Sequence, residues 1–159
     1  MAGTLDRIRK LCLALPEAHE VEAWGEPTFR VRNKLFAMFA AAGNHHGAGR
    51  ASVWIKSTHV NQDLMLHSDA DRFFSPPYVG PSGWIGVYLD NGPDWDVVKE
   101  ILRDGYLLTA PKRVAVLLTE RAQPAPPLKR KSSAPKRKSA PARKSPASKK
   151  TTARKKPRR

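Results

Sequence analysis

After Glu120 the sequence contains no acidic residue, and after Tyr106 no aromatic one. It holds a single cysteine, Cys12, so an internal disulfide is excluded. Cys12 falls on the apolar face of an expected helix, which marks it as a buried thiol rather than a reactive one. No apolar run approaches the roughly 20 residues that a membrane-spanning helix needs. The stretch Leu11–Leu15 is short and is followed by Pro16-Glu17, so neither a membrane anchor nor a secretory leader is expected. A reducing, cytosolic compartment fits these absences.

The missing acids divide the chain in two. Arg121–Arg159 is 39 residues long and contains 16 Lys+Arg, 7 Pro, 7 Ala and 5 Ser. Its one large apolar side chain is Leu128. The whole chain has 29 Lys+Arg and 14 Asp+Glu. Removing the tail's 16 basic residues leaves 13 basic and 14 acidic residues in 1–120. The first part is therefore near −1 and the tail is +16, an asymmetry that points to a partner of opposite charge. With almost nothing apolar to bury, the tail cannot offset roughly 1–2 kcal/mol of backbone entropy per residue, and it is expected to be disordered. AQPAPP (Ala122–Pro127) reads as a semi-rigid, extended spacer.

A loose six-residue repeat runs through the tail: Ser133–Lys138, Ser139–Lys144 and Ser145–Lys150. In composition the tail resembles those of linker histones and bacterial histone-like proteins, which implies contact with the DNA backbone. The candidate phosphate-binding residues are Lys129, Arg130, Lys131, Lys136, Arg137, Lys138, Arg143, Lys144, Lys149, Lys150, Arg154, Lys155, Lys156, Arg158 and Arg159. Double-stranded DNA carries about one negative charge per 1.7 Å of axis, and neutralising it releases counterions without any need for a fold. RNA, acidic lipid and acidic proteins are the rival polyanions. A lipid surface would ask for an apolar or lipid anchor as well, and the tail has neither.

Residues 1–120 suffice for one domain burying roughly two-thirds of its unfolded surface. Thr4 reads as a helix N-cap, with Leu5, Ile8, Cys12 and Leu15 at helical spacing until Pro16. Thr28–Arg32 and Leu35–Phe39 read as a hairpin around Asn33-Lys34. That register puts Phe29, Val31, Phe36 and Met38 on a core face, and Thr28, Arg30 and Arg32 on an outer one. Further strands are expected over Ala51–Lys56 and Trp84–Leu89, with a short helix over His59–His67. Asp94 caps a helix with Trp95, Val98, Ile101 and Leu102 inward and Gly105 at its C-terminal end. Pro111 opens a last helix running to Leu118. Helix, antiparallel strands, then helices is the order of an α+β fold.

WGEPTFRVRNKLFAMF (Trp24–Phe39), DRFFSPPYVGPSGWIGVYLD (Asp71–Asp90), DWDVVKEILRDGY (Asp94–Tyr106) and LLTAPKR (Leu107–Arg113) resemble the MmcQ/YjbR-like proteins. The resemblance spans nearly all of residues 1–118. It implies the CyaY-like, or double-wing, arrangement of an antiparallel sheet packed on helices, and a DNA-binding role.

Two core patches are candidates for phosphate. Lys112 and Arg113 follow Pro111 at a helix N-terminus, where free N–H groups attract anions; the alternative is that they reach an acid or solvent. Arg30, Arg32 and Lys34 form the second patch, with a solvated sheet face as the alternative. Trp24, Trp54, Trp84, Trp95, Phe73, Phe74 and Tyr78 offer base-stacking platforms or core anchors. Tyr78 and Trp84, beside the Pro/Gly-rich loop, are the ones expected at the surface. His59 and His67 lie two helical turns apart, about 12 Å, and cannot share an ion. His45-His46 sits in a glycine-rich loop without a third ligand. Iron-binding relatives of the CyaY-like fold make the acids Glu17, Glu20, Glu22 and Glu26 a metal candidate by resemblance only. No nucleophile–base spacing is recognisable, and no cofactor is expected.

Two functions compete. The first is a non-catalytic, cytoplasmic or nucleoid-associated DNA-binding protein whose tail contacts phosphates. The second is a small-ligand or metal-binding core with an appended tail. A contiguous basic face joining Arg30, Arg32, Lys112 and Arg113 would favour the first. An enclosed pocket would favour the second.

Overall fold

The computed structural model describes residues 3–43 and 49–122. The elements run α1 (Thr4–Leu13), β1 (Ala18–Ala23), β2 (Glu26–Val31), β3 (Lys34–Ala40), β4 (Ser52–Ile55), α2 (His59–Ser68), β5 (Phe73–Phe74), a 3₁₀ turn (Gly80–Ser82), β6 (Ile85–Tyr88), α3 (Trp95–Thr109) and α4 (Lys112–Ala122). The strands form one antiparallel sheet in the order β1-β2-β3-β4-β6-β5. The fold is α+β, as the sequence pattern implies.

One sheet face is covered by helices. Ile8 and Cys12 of α1, Val98, Ile101, Leu102 and Tyr106 of α3, and Val114 of α4 pack with Phe29, Val31, Phe36, Val53, Ile85 and Val87 from the strands. The helical spacing in α1 and α3 reads out directly as this buried stripe. Asp94 caps α3 by accepting from the amides of Asp96 (3.1 Å) and Val97 (3.3 Å). At α1 the cap is Gly3, one residue before the expected Thr4, and the Asp6 carboxylate accepts from the Gly3 amide at 3.2 Å. Tyr106 stands edge-on to Phe36, with ring centroids 5.6 Å apart, and its hydroxyl donates to the Pro16 carbonyl at 2.7 Å.

Three sequence expectations are corrected. The β2–β3 turn is Arg32-Asn33, not Asn33-Lys34: both residues have positive φ (50° and 62°), and Val31 pairs with Lys34. Two left-handed residues make the tight turn whose twist matches a hairpin. Second, the β2–β3 register shifts between Phe29 and Arg30: Arg30 pairs with Leu35 but Phe29 pairs with Ala37. Phe36 is thus an extra residue in β3, and a bulge of one residue reverses the alternation beyond it. Met38 therefore leaves the helix-covered core and joins Ala40, Trp54 and Trp84 on the opposite face. Third, Gly105 does not end α3, which continues to Thr109. A Cβ there would lie 2.6 Å from Ile55 Cγ2 and 2.7 Å from the Lys56 carbonyl oxygen. This glycine serves close helix–sheet approach rather than helix termination.

β1 (AHEVEA) lacks a strand signature of its own; it is an edge strand whose Glu20 and Glu22 need no burial partner across the sheet. The last helix also exceeds its expected end at Leu118, reaching Ala122.

Candidate functional site

The sheet face opposite the helices is where a site can form. Trp54 and Met38 are direct partners across β3 and β4, and Trp84 packs beside them. Trp24, Leu35, Tyr78 and Val79 complete the lining of a pocket of about 410 Å³. Its floor is buried, with Trp54 and Met38 at 2% and 7% exposure and Trp84 at 8%. Its rim is open: Trp24 is 62% and Tyr78 79% exposed.

Each wall is fixed by a separate device. Trp24 sits with Gly25 in the two-residue β1–β2 turn, both at positive φ (56° and 75°). Tyr78 is likewise left-handed, at φ 66°. The segment carrying Tyr78 and Val79 is held by Gln62 of α2, whose buried amide donates to the carbonyls of Gly80 (2.9 Å) and Trp84 (2.6 Å). A Cβ at Gly80 would fall 2.2 Å from Ser75 Oγ, so a side chain there would require the Ser75 hydroxyl to rotate away. The Trp54 indole N–H donates to Ser52 Oγ at 3.2 Å within the buried layer. The lining thus presents aromatic and aliphatic surface to an occupant.

The basic candidates are split between the two faces. Arg30 projects on the pocket face, next to its cross-strand partner Leu35, and its Nε donates to Thr28 Oγ1 at 3.3 Å. Among the described residues it makes no ion pair. Arg32, in the turn, is bound by Glu17 through two hydrogen bonds, one of them at 3.0 Å from Nη2 to Oε1. Arg32, followed by the nearby charge of Arg113 at the start of α4, holds the Glu17 carboxyl below the usual range. Lys34, Lys112 and Arg113 are exposed. So Arg32 and Arg113 both act on one acid, Glu17, while Arg30 lies beside Leu35 on the pocket face. The tail candidates, Lys129 through Arg159, and His45-His46 lie outside the described residues.

The acidic candidates do not converge either. Glu20 binds Arg9 through both carboxylate oxygens at 2.9–3.1 Å. Glu17 binds Arg32, and buried Glu26 accepts from the Ala41 amide at 3.0 Å. His59 Nε2 lies 3.0 Å from the Pro81 carbonyl and His67 Nδ1 2.7 Å from that of Asp63, so each has its own partner. Among the described residues no three His, Cys, Asp or Glu side chains are placed to hold a metal. Cys12 is fully buried, and burial pushes its thiol far up, away from thiolate chemistry. A second cleft, between α2 and α3, carries Asp69, Asp96, Glu100 and Asp104 with Arg72, a lining acidic in sum.

Sequence reasoning placed Tyr78 at the surface, where it stands, and Trp84 there too, where it does not: Trp84 packs on Met38 and Trp54. Trp24 as a rim residue was missed. The Trp-Gly pair between two alternating segments is the signal that could have found it.

No curated protein matches the chain. A crystal structure of Deinococcus radiodurans protein DR2400, described as domain DUF419, shares the fold with a TM-score of 0.56 at 17% identity, covering 68% of this chain and 81% of that one. The family model YjbR matches residues 13–108, a span that takes in the whole sheet, α2, nearly all of α3 and every residue of the pocket lining, and leaves out most of α1 and all of α4. The protein belongs to the YjbR family.

Proposed function

We propose that this protein binds DNA without catalysing a reaction, in the cytoplasm or on the nucleoid, through low-specificity contacts of its basic tail with phosphates. The observation that carries the reading is the division of charge, +16 in residues 121–159 against −1 in the rest. The folded part supports it by contrast. Arg9, Arg32, Arg50 and Arg72 are each paired with an acid, Glu20, Glu17, Asp90 and Asp69. These four core arginines are engaged internally and the core is close to neutral in sum, so the strong positive field belongs to the tail. RNA offers the same phosphates and is the rival polyanion.

A salt titration tests this. With about half of the tail's charges engaged, log affinity for duplex DNA against log salt should have a slope of about −7, at about −0.9 per phosphate contact. Replacing the tail's Lys and Arg by Gln should remove most of the binding and flatten the slope. A slope near zero in the native protein, or tight binding after the Gln replacement, refutes the reading.

The apolar pocket favours a second reading, a core that takes a small ligand, since its size falls within the range of ligand sites.

A further inference from the structure

The pocket lies on the sheet face away from the helices, and its walls are chiefly three indole rings and a phenol. The Trp54 N–H is donated to Ser52 Oγ, and a lining dominated by aromatic and aliphatic side chains rests recognition chiefly on apolar surface. Such a surface suits a flat aromatic ring and reads little of its identity. The two rim rings are unusual in their mounting. Trp24 and Tyr78 are both large, both mostly exposed, and both in the left-handed conformation that bulky side chains rarely adopt. The two-residue turn accounts for the backbone of Trp24; residues held in such sparsely populated regions cluster at functional sites, ligand clamps among them. A cation stands next to it: Arg30 is the cross-strand partner of the lining residue Leu35, so both project to the same face.

An aromatic slot with a neighbouring guanidinium is complementary to a nucleotide, whose base is flat and whose phosphate is anionic. We infer that the pocket receives an unstacked nucleobase from a single-stranded or locally opened stretch of the nucleic acid that the tail holds. The inference rests on the phosphate-binding reading above. An intact duplex keeps its bases stacked and cannot fill the pocket, so the core confers a preference for single strands that the tail's charge alone does not supply.

The test compares two strands of equal length and charge, an oligothymidylate and its abasic counterpart, titrated into the full-length protein at low salt. The native protein should bind the abasic strand roughly tenfold more weakly, the low-to-middle range for loss of one stacked base. Intrinsic tryptophan fluorescence should be quenched by the oligothymidylate alone. In the Trp24→Gly, Tyr78→Gly double variant the gap should close, with affinity for the abasic strand unchanged. Glycine removes each ring while suiting the left-handed backbone, so the fold is retained; Tyr78→Gly alone should close part of the gap. Equal binding of both strands by the native protein, or a gap that survives the double variant, overturns the pocket inference and leaves the phosphate reading standing. Failure to bind either strand overturns the phosphate reading and the pocket inference with it. A free neutral aromatic compound that quenches the same tryptophans where oligothymidylate does not would assign the pocket to a small ligand and overturn the inference.

Discussion

Gly105→Ala sets two known effects against each other. Alanine favours a helix interior over glycine by about 1 kcal/mol, and Gly105 lies inside α3, so propensity alone predicts stabilisation. Packing predicts the reverse. The new Cβ would lie 2.6 Å from Ile55 Cγ2, 2.7 Å from the Lys56 carbonyl oxygen and 3.4 Å from the Phe36 carbonyl oxygen, whereas carbon contacts settle at about 3.5–4.0 Å. Neither backbone group can retreat freely, because the Lys56 amide donates to the Phe36 carbonyl at 2.9 Å. Ile55 is itself fully buried. α3 must back away from the sheet, and overpacking of this kind costs about 1–3 kcal/mol. Since two of the three contacts are severe, the upper half of that range applies, and the net loss should be about 1–2 kcal/mol. For a domain of this size that lowers the melting temperature by roughly 4–8 °C. Urea unfolding followed by circular dichroism measures it directly. A midpoint at or above that of the native protein would show that the close approach of α3 to β3 and β4 is not tight, and would refute the reasoning.

Tyr106→Phe removes the hydroxyl that donates to Pro16 and should cost about 1 kcal/mol; an unchanged urea midpoint contradicts the bond. Gln62→Leu leaves the Trp84 carbonyl without its side-chain donor and the Gly80 carbonyl with the Gly83 amide alone and should cost about 2 kcal/mol, with a shift in tryptophan emission as the pocket wall loosens; loss of stability without that shift would detach Gln62 from the pocket. Arg32 holds the Glu17 carboxyl, and Arg50 the Asp90 carboxyl, below the usual range. Folding is therefore favoured above the ordinary carboxylate pKa of about 4 and loses that contribution as pH falls through it toward the folded values. Glu17→Gln with Asp90→Asn should flatten this acid limb, and a limb of unaltered steepness counts against both pairs. Ending the chain at Ala122 should leave the urea midpoint nearly unchanged, because residues 123–159 have little apolar surface to bury.

Much of the architecture was legible in the sequence because it rests on local chemistry. Ile8 and Cys12 at helical spacing, Asp94 before Trp95, and alternation in Ile85–Val87–Leu89 each bring their own physical cause, and each element formed where that cause lies. The errors share another origin. A glycine near the end of a helical pattern looks like a terminator, but Gly105 is dictated by what faces it across the core. The bulge at Phe36 depends on β2 as much as on β3, so Met38 could not be assigned a face from its own strand. The pocket was least legible of all. Its seven lining residues come from separate turns, strands and loops between Trp24 and Trp84, and no spacing rule connects them.

The hydroxyl bond from Tyr106 to Pro16 joins groups 90 positions apart in the chain. Closing a loop of that length costs about 3 kcal/mol more entropy than closing a four-residue turn, on logarithmic scaling. The hairpins β1–β2 and β2–β3 close over two-residue turns and can form before that clasp. Closure of the Tyr106–Pro16 bond is therefore expected late in folding, and a bond made after the barrier acts on escape from the native state rather than on arrival. The loss of the Tyr106 hydroxyl should accordingly quicken unfolding and leave the folding rate almost untouched, so the clasp governs how long this domain stays folded more than how fast it folds.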